Sequence, residues 1–453
     1  MSTIAAISTG NAPGGIGVIR ISGDNAVKIA DSVFECSDKS SLAELGGYRA
    51  KYGHIVIDGE QQDDAVVLVF RSPRSYTGED VAEISVHGGM LSVQKTLDAV
   101  LKAGAVPAGA GEFTKRAFIN GKMDLTQAES VADIISAQGE AELRASYSAL
   151  QGRLSKSINA VLEKLLDVSS TMAAWVDYPD EEIPELEQNE LVKTLEFCKA
   201  ELESLLSNYD KGQTIRTGVD TVIAGRPNVG KSSLMNMLTG TDKSIVTHIE
   251  GTTRDIVEEN VRLGSIVLHL KDTAGLRESG DIVENIGIEK AYKAIEDAQL
   301  VLAVFDSSAG LTDEDRKLID SCSGKLAVAV INKTDLENKA DTAIIENAFD
   351  SVVYISAKND EGLDRLEETV CGLLGVADFD STAPLLANSR QKQHCENALA
   401  SVCEALDGAA LGITYDAINV MIDAAADELL SLTGKKANAE VVNSIFSKFC
   451  VGK

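Results

Sequence analysis

No run of about 18 uninterrupted apolar residues, the length a helix needs to cross a bilayer, occurs in this 453-residue chain. The first residues, MSTIAAISTGNAPGG, lack a basic segment followed by a long apolar one, so no secretory signal is predicted. Seven cysteines, at 36, 198, 322, 371, 395, 403 and 450, form no CxxC and no Cys/His cluster. That excludes a structural zinc or a disulfide framework and predicts reduced thiols in the cytoplasm. The five histidines (His54, His87, His248, His269, His394) have no metal-ligand spacing, and no internal repeat or low-complexity tract occurs. Basic residues are also scarce: 42 Lys and Arg stand against 70 Asp and Glu, a net charge of −28. Taken alone, that deficit argues against a nucleic-acid partner, since neutralising phosphates needs a basic surface.

What is present is an ordinary globular composition, 44% hydrophobic and 25% charged, long enough for about three domains. Residues 1–120 alternate β-like runs (17–23, 51–58, 64–71, 81–88) with glycine turns and two helical stretches, Asn25–Glu35 and Met90–Lys102. This reads as an α+β domain. From 121 to 215 the apolar period becomes 3.6, with Leu150, Leu154, Ile158, Leu162 and Leu165 on one helix face. Residues 381–453 resume a helical pattern, and neither helical half is long enough for a comfortable core alone. One helical domain built from both halves is expected; within the first half the acidic run Asp177–Glu190, with its two prolines, reads as a solvated turn, and an insert separates the halves. Between them, 216–380 alternates helices with continuous apolar runs (221–225, 266–272, 300–306, 325–332, 352–356), the signature of a buried, doubly wound parallel sheet.

The insert carries nucleotide chemistry. Gly225-Arg-Pro-Asn-Val-Gly230-Lys231-Ser232 matches GxxxxGK[ST] between a strand and a helix. Its main-chain N–H groups can wrap phosphates, Lys231 can reach the β- and γ-phosphates, and Ser232 can hold Mg²⁺. Downstream, Asp272-Thr273-Ala274-Gly275 offers a carboxylate to the Mg²⁺ shell and the Gly275 N–H to a γ-phosphate, while Gly251-Thr252-Thr253-Arg254-Asp255 supplies the metal a threonine. Asn332-Lys333-Thr334-Asp335 presents a carboxylate to the guanine N–H groups, and Ser356-Ala357-Lys358 can flank the base. Five such signals in order specify a GTPase. Leu276 occupies the place where many GTPases carry the glutamine that orients water, so hydrolysis must use another group or be very slow. Asn228 is open to two readings: a ligand for a monovalent cation beside the β–γ bridge, or a plain turn-forming asparagine.

Together with GRPNVGKSS, GTTRD, DTAGLRESGDIVENIGIE and NKTD, three further segments, PGGIGVIRISG (13–23), SYTGEDVAEISVHGG (75–89) and AGEFTKRAFINGKMDLTQAE (110–129), and the terminal FCVGK resemble the MnmE (TrmE) family of tRNA-modification GTPases over the whole chain. Val451 replaces the family's usual isoleucine, a conservative change. The resemblance implies a multidomain α/β and α+β protein. It would have an N-terminal α+β folate-binding-like and dimerisation domain (1–120), a discontinuous α-helical domain (121–215 and 381–453) and an inserted P-loop G domain (216–380).

It further implies a homodimer whose G domains associate on binding GTP and K⁺, which stimulates hydrolysis. The K⁺ ligands would be Asn228, Thr247, Ile249 and Thr252, and the Mg²⁺ ligands Ser232 and Thr253. GTP would contact Asn228, Val229, Gly230, Lys231, Ser232 and Ser233, then Thr247, His248, Ile249, Glu250, Gly251, Thr252 and Thr253. Asp272, Thr273, Ala274, Gly275, Asn332, Lys333, Asp335, Ser356, Ala357 and Lys358 would complete that site. Glu284 would orient the attacking water indirectly, making Glu284 and Lys231 catalytic.

With an FAD- and NADH-using MnmG/GidA-like partner, in a heterotetramer, the family adds an aminomethyl or carboxymethylaminomethyl group to C5 of the wobble uridine of certain tRNAs. The carbon comes from 5,10-methylene-tetrahydrofolate or formyl-tetrahydrofolate. Arg20, Glu83, Lys122 and Lys453 fall at the folate-contacting positions, where a carboxylate can pair with a pterin edge and basic groups can hold a glutamate tail. Cys450 also belongs to the implied chemistry, as acid, nucleophile or packing residue. Two other readings compete: a GTP-switched RNA assembly factor, and a folate-dependent transferase whose G domain only regulates.

Divided by these domains, the net charge is −3 for 1–120, −10 for 121–215, −13 for 216–380 and −2 for 381–453. The segments expected to meet folate and base are near neutral. Basic surface for tRNA is therefore expected mainly from the partner.

Overall fold

The structure, a computed structural model, describes residues 2–10, 12–177, 188–240, 258–271, 292–377, 379–380 and 382–452. Two compact units are present. One comprises Met1–Ile135, Ala149–Glu203 and Gln393–Lys453, the other Ser136–Ser148 and Ser204–Lys392.

The first unit holds a seven-stranded sheet in the order β3-β4-β5-β6-β2-β1-β7. Its strands are β1 (Ile4–Ile7), β2 (Ile16–Ser22), β3 (Phe34–Cys36), β4 (Arg49–Ile57), β5 (Glu60–Phe70), β6 (Val81–His87) and β7 (Val106–Pro107). All neighbours are antiparallel except β1 and β7. Alternation decides which face is buried: Ala65, Val67 and Val69 of β5 point inward. Helices α1 (Ala26–Ser32) and α2 (Met90–Lys102) contribute Val27, Ile29, Val93 and Val100 to the same core. The helix expected over 25–35 stops at Ser32 because Phe34 and Cys36 alternate into that core around exposed Glu35 and pair with β4.

The same unit contains α3 (Glu112–Ile119), α4 (Leu125–Ser136) and α6 (Arg153–Asp177), and most of α7 (Gln188–Ser207) and α13 (Ser389–Leu411). It ends with α14 (Tyr415–Thr433) and α15 (Ala439–Phe446). On α6, Leu154, Ile158, Leu162 and Leu165 are buried, and Leu150 just before it is half-buried. The two halves of the helical sequence meet directly: Ser169 of α6 donates to Asp423 of α14 at 2.7 Å, and Gln188 of α7 donates to the Ala409 carbonyl at 2.9 Å. The helical domain is therefore discontinuous in sequence and continuous in space.

The second unit is a six-stranded sheet in the order β13-β12-β11-β8-β10-β9. It comprises β8 (Val219–Ala224), β9 (Glu258–Leu263), β10 (Ile266–Lys271), β11 (Leu300–Asp306), β12 (Ala327–Asn332) and β13 (Val352–Tyr354). Only the β9–β10 pairing is antiparallel. Helices α8 (Tyr209–Thr217), α9 (Lys231–Thr239), α10 (Asp313–Cys322), α11 (Thr342–Ala348) and α12 (Leu363–Leu373) complete it, with most of α5 (Glu140–Leu150). One face packs Ile223, Leu302 and Val330 against Leu234 of α9 and Leu366 of α12; the other packs Val222, Val301 and Ile331 against Leu318 of α10 and Ile345 of α11. Apolar packing on both faces is the doubly wound arrangement. The edge strand β9, EENVRL, was not read from the sequence, because Val261 and Leu263 are its only apolar residues.

Candidate guanine-nucleotide site

The turn from β8 into α9 is the phosphate loop. Gly230 has φ +101°, and a Cβ there would stand 2.2 Å from Asn332 Nδ2, so only glycine lets the loop and the guanine motif approach this closely. Asn332, 2% exposed at the end of β12, donates from Nδ2 to the Val229 carbonyl at 2.9 Å. Its Oδ1 accepts from the N–H groups of Lys333 (2.8 Å) and Ala357 (3.0 Å). One buried amide thus ties together the P-loop, NKTD and SAK segments.

Lys333 adds a second tie. Its ammonium donates to the Asn228 carbonyl at 2.8 Å and to Asp306 Oδ2 at 2.6 Å. Both Asn228 (φ +64°) and Lys333 (φ +65°) are left-handed, a conformation uncommon outside glycine. Burial raises the pKa of Asp306, but the Lys333 ammonium and the hydroxyl and N–H of Ser308 outweigh it and hold the carboxyl below its usual value. Asp335 Oδ1 accepts from the Ser356 hydroxyl at 2.8 Å, and Ser356 is fully buried. Lys231, the first residue of α9, donates to the carbonyls of Gly225 (2.5 Å) and Arg226 (3.0 Å). Ser232 and Ser233 are exposed beside it. A cavity of about 590 Å³ adjoins α9 and the Ala357–Asp364 turn, lined by Ser233, Asn236 and Lys358 among others.

The structure therefore gathers Asn228, Val229, Gly230, Lys231, Ser232, Ser233, Asn332, Lys333, Asp335, Ser356, Ala357 and Lys358 at or beyond the carboxyl ends of the parallel strands β8, β12 and β13. Thr247, His248, Ile249, Glu250, Gly251, Thr252, Thr253, Asp272, Thr273, Ala274, Gly275, Leu276 and Glu284 lie outside the described residues, as does most of the acidic run near 180. Asp306 was missed as a site residue, although it ends the apolar run LVLAVFD in full view.

In the first unit, Arg20 and Glu83 are register partners on β2 and β6, joined at 2.8 Å. The Arg20 guanidinium lies 5.5 Å from the Tyr76 ring centroid and 5.6 Å from that of Phe113. Lys122 Nζ donates to the Pro73 carbonyl at 3.0 Å, so all three candidates converge on the 71–80 loop and its surroundings. Sequence reasoning overlooked what supports that loop. Arg116, 4% exposed, donates to Glu79 (3.1 Å), Glu112 (2.8 Å) and the Ser2 carbonyl (2.8 Å).

The C-terminal tail docks on the same unit. The Cys450 carbonyl accepts from the Gly111 N–H at 3.3 Å, Val451 bridges Ala110, and the Gly452 carbonyl accepts from Ser8 Oγ at 3.1 Å. Cys450 is exposed, whereas Phe449 before it is buried; Lys453 lies outside the described residues. Among the described residues no cluster of His, Cys, Asp or Glu could hold a metal, and no helix is long and apolar enough to cross a membrane.

Known proteins resemble the chain throughout. A family model described as the TrmE N-terminus of a GTP-binding protein matches residues 3–122, and the MnmE helical-domain model matches residues 125–450. The tRNA modification GTPase MnmE of Listeria innocua is 42% identical, covering 100% of this chain and 99% of its own length. That of Carboxydothermus hydrogenoformans is 40% identical with the same coverage. Among solved structures, the G domain of the T. maritima FeoB iron transporter is 29% identical over 34% of this chain and 98% of its own, with a TM-score of 0.27, a likeness that adds nothing to the assignment. With one family model covering the N-terminal α+β sheet, another running from the helical domain across the inserted G domain, and full-length relatives at about this identity, the chain belongs to the MnmE family of tRNA modification GTPases.

Proposed function

We propose that this GTP hydrolase works through the guanine-nucleotide site described above to drive or control tRNA wobble-uridine modification. The observation that carries the reading is the Asn332 amide, which holds phosphate-loop and guanine-side segments in one frame. Asp335 reads the base, Lys231 serves the β- and γ-phosphates, and Glu284 orients the attacking water in place of the glutamine absent at Leu276. Ser232, an exposed hydroxyl at the start of α9, suits a hard divalent cation, and Thr253 and Asp272 would complete the Mg²⁺ shell. Asn228 is exposed and its backbone is fixed through Lys333, so its amide oxygen would bind K⁺ with Thr247, Ile249 and Thr252. Bound there, K⁺ would supply positive charge beside the β–γ bridge.

The modification itself is proposed to use a one-carbon tetrahydrofolate held near Arg20, Glu83, Lys122 and Lys453. This donor set fits the group: Glu83 keeps acceptor capacity beyond its bond to Arg20 for a pterin edge, and Lys122 can hold a carboxylate tail. Cys450, in the docked tail, would belong to the same chemistry. The protein would act as a homodimer, in the cytoplasm, with an FAD- and NADH-dependent MnmG-like partner that adds an aminomethyl or carboxymethylaminomethyl group to C5 of uridine 34. GTP hydrolysis measured in potassium and in sodium tests the cation assignment. Faster turnover in potassium is expected, because sodium's smaller coordination shell fits the site poorly; equal rates would contradict the role of Asn228.

A further inference from the structure

A buried carboxylate outside the nucleotide motifs grips the phosphate loop. Asp315 is the third residue of α10 and is 2% exposed. Its Oδ2 closes a capping box, accepting from the Thr312 N–H (2.9 Å) and hydroxyl (2.9 Å). A neutral side chain could do as much. The same oxygen also accepts from Arg226 Nε at 3.2 Å, across 89 residues of sequence. Its partner atom Oδ1 is buried and accepts no hydrogen bond among the described residues. An ionised group in such a place is costly unless a positive group compensates it. The compensation here comes from the α10 N-terminus and from Arg226.

Arg226 is the second residue of the phosphate loop. Its side chain goes to Asp315, while its own carbonyl, with that of Gly225, receives the Lys231 ammonium. Displacing the Arg226 side chain would therefore shift the carbonyl that aims the phosphate-binding lysine. The geometry points to Asp315 as a positioning residue for GTP hydrolysis, acting through Arg226 on Lys231. Displacements of an ångström or less at such a lysine change turnover strongly. The inference rests on the phosphate-site reading of Gly225–Ser232.

The test is steady-state GTP hydrolysis by the full-length chain in potassium, with thermal unfolding recorded alongside. Asp315→Asn keeps the size and cap acceptor but removes the charge, and Arg226→Gln removes the other partner. Each should lower kcat about tenfold, and the double variant should fall no further than the worse single one. Thr312→Ala should lower the melting temperature at least as much as Asp315→Asn yet keep kcat within about twofold, because it weakens the cap and spares the ion pair. Unchanged kcat in Asp315→Asn, or multiplying losses in the double variant, would overturn the proposal. So would a tenfold kcat loss in Thr312→Ala, which would make capping the cause. If the unsubstituted chain hydrolysed no GTP, the phosphate-site reading itself would fail instead.

Discussion

Asp335 takes the Ser356 hydroxyl on one oxygen, and its carboxylate can accept both N–H groups of a guanine edge. An asparagine there would present a donor and an acceptor, the complement of xanthine. Asp335→Asn is therefore expected to shift nucleotide preference from GTP toward XTP by about 100-fold or more in competition binding. Retained GTP selectivity would contradict the role assigned to NKTD. Asp306 makes a different prediction, since it acts on structure through Lys333. Its pKa is depressed in the fold, so its contribution is present above the unfolded value of about 3.9 and is lost as pH falls through the folded one. Asp306→Asn should cost about 2 kcal/mol at pH 7, and calorimetry should show the gap to the parent chain closing as pH falls below about 3.9. A gap independent of pH would mean that the ion pair contributes nothing.

The tail after α15 is anchored by Phe449, buried in a cluster with Leu125 and Phe446, and beyond it by close backbone contacts. Gly452 has φ +98°, and a Cβ there would stand 2.1 Å from the Ile7 carbonyl. Gly452→Ala should therefore lift the tail, and the Gly111 amide, now bonded to the Cys450 carbonyl, should exchange hydrogen about tenfold faster. Unaltered exchange would show that the tail does not depend on that glycine. Nothing in FCVGK alone forecasts this docking, because its partners lie more than 300 residues away, at Ser8 just after β1 and in the turn before α3. The buried parallel strands were plain in the sequence, since both faces must be apolar, and β11 spans the expected residues. Strand β9 and the short β3 were not, because an edge strand with two apolar residues in six and a three-residue strand carry too little periodicity. In the same way GRPNVGKS and NKTD were legible as local motifs. The Arg226–Asp315 and Lys333–Asp306 pairs join residues distant in sequence, and neither partner's chemistry names the other.

Most of the −28 net charge falls in the G domain and the first helical segment, at −13 and −10, while the N-terminal α+β region is only −3. A chain of this family with so little basic surface is expected to bind tRNA weakly alone. Under the proposed function, the flavoprotein partner would supply most phosphate neutralisation. Tight, salt-sensitive binding of tRNA in the partner's absence would contradict that division of labour. In the proposed function, this chain couples GTP hydrolysis to wobble-uridine modification. Nucleoside analysis of tRNA from cells lacking the protein, complemented with the parent chain or with Glu284→Ala, tests it most directly. Loss of the C5 aminomethyl and carboxymethylaminomethyl uridines is expected, restored by the parent chain and not by the hydrolysis-silent variant. An unchanged wobble-uridine profile in the deletion would contradict the function, and full restoration by Glu284→Ala would contradict the coupling.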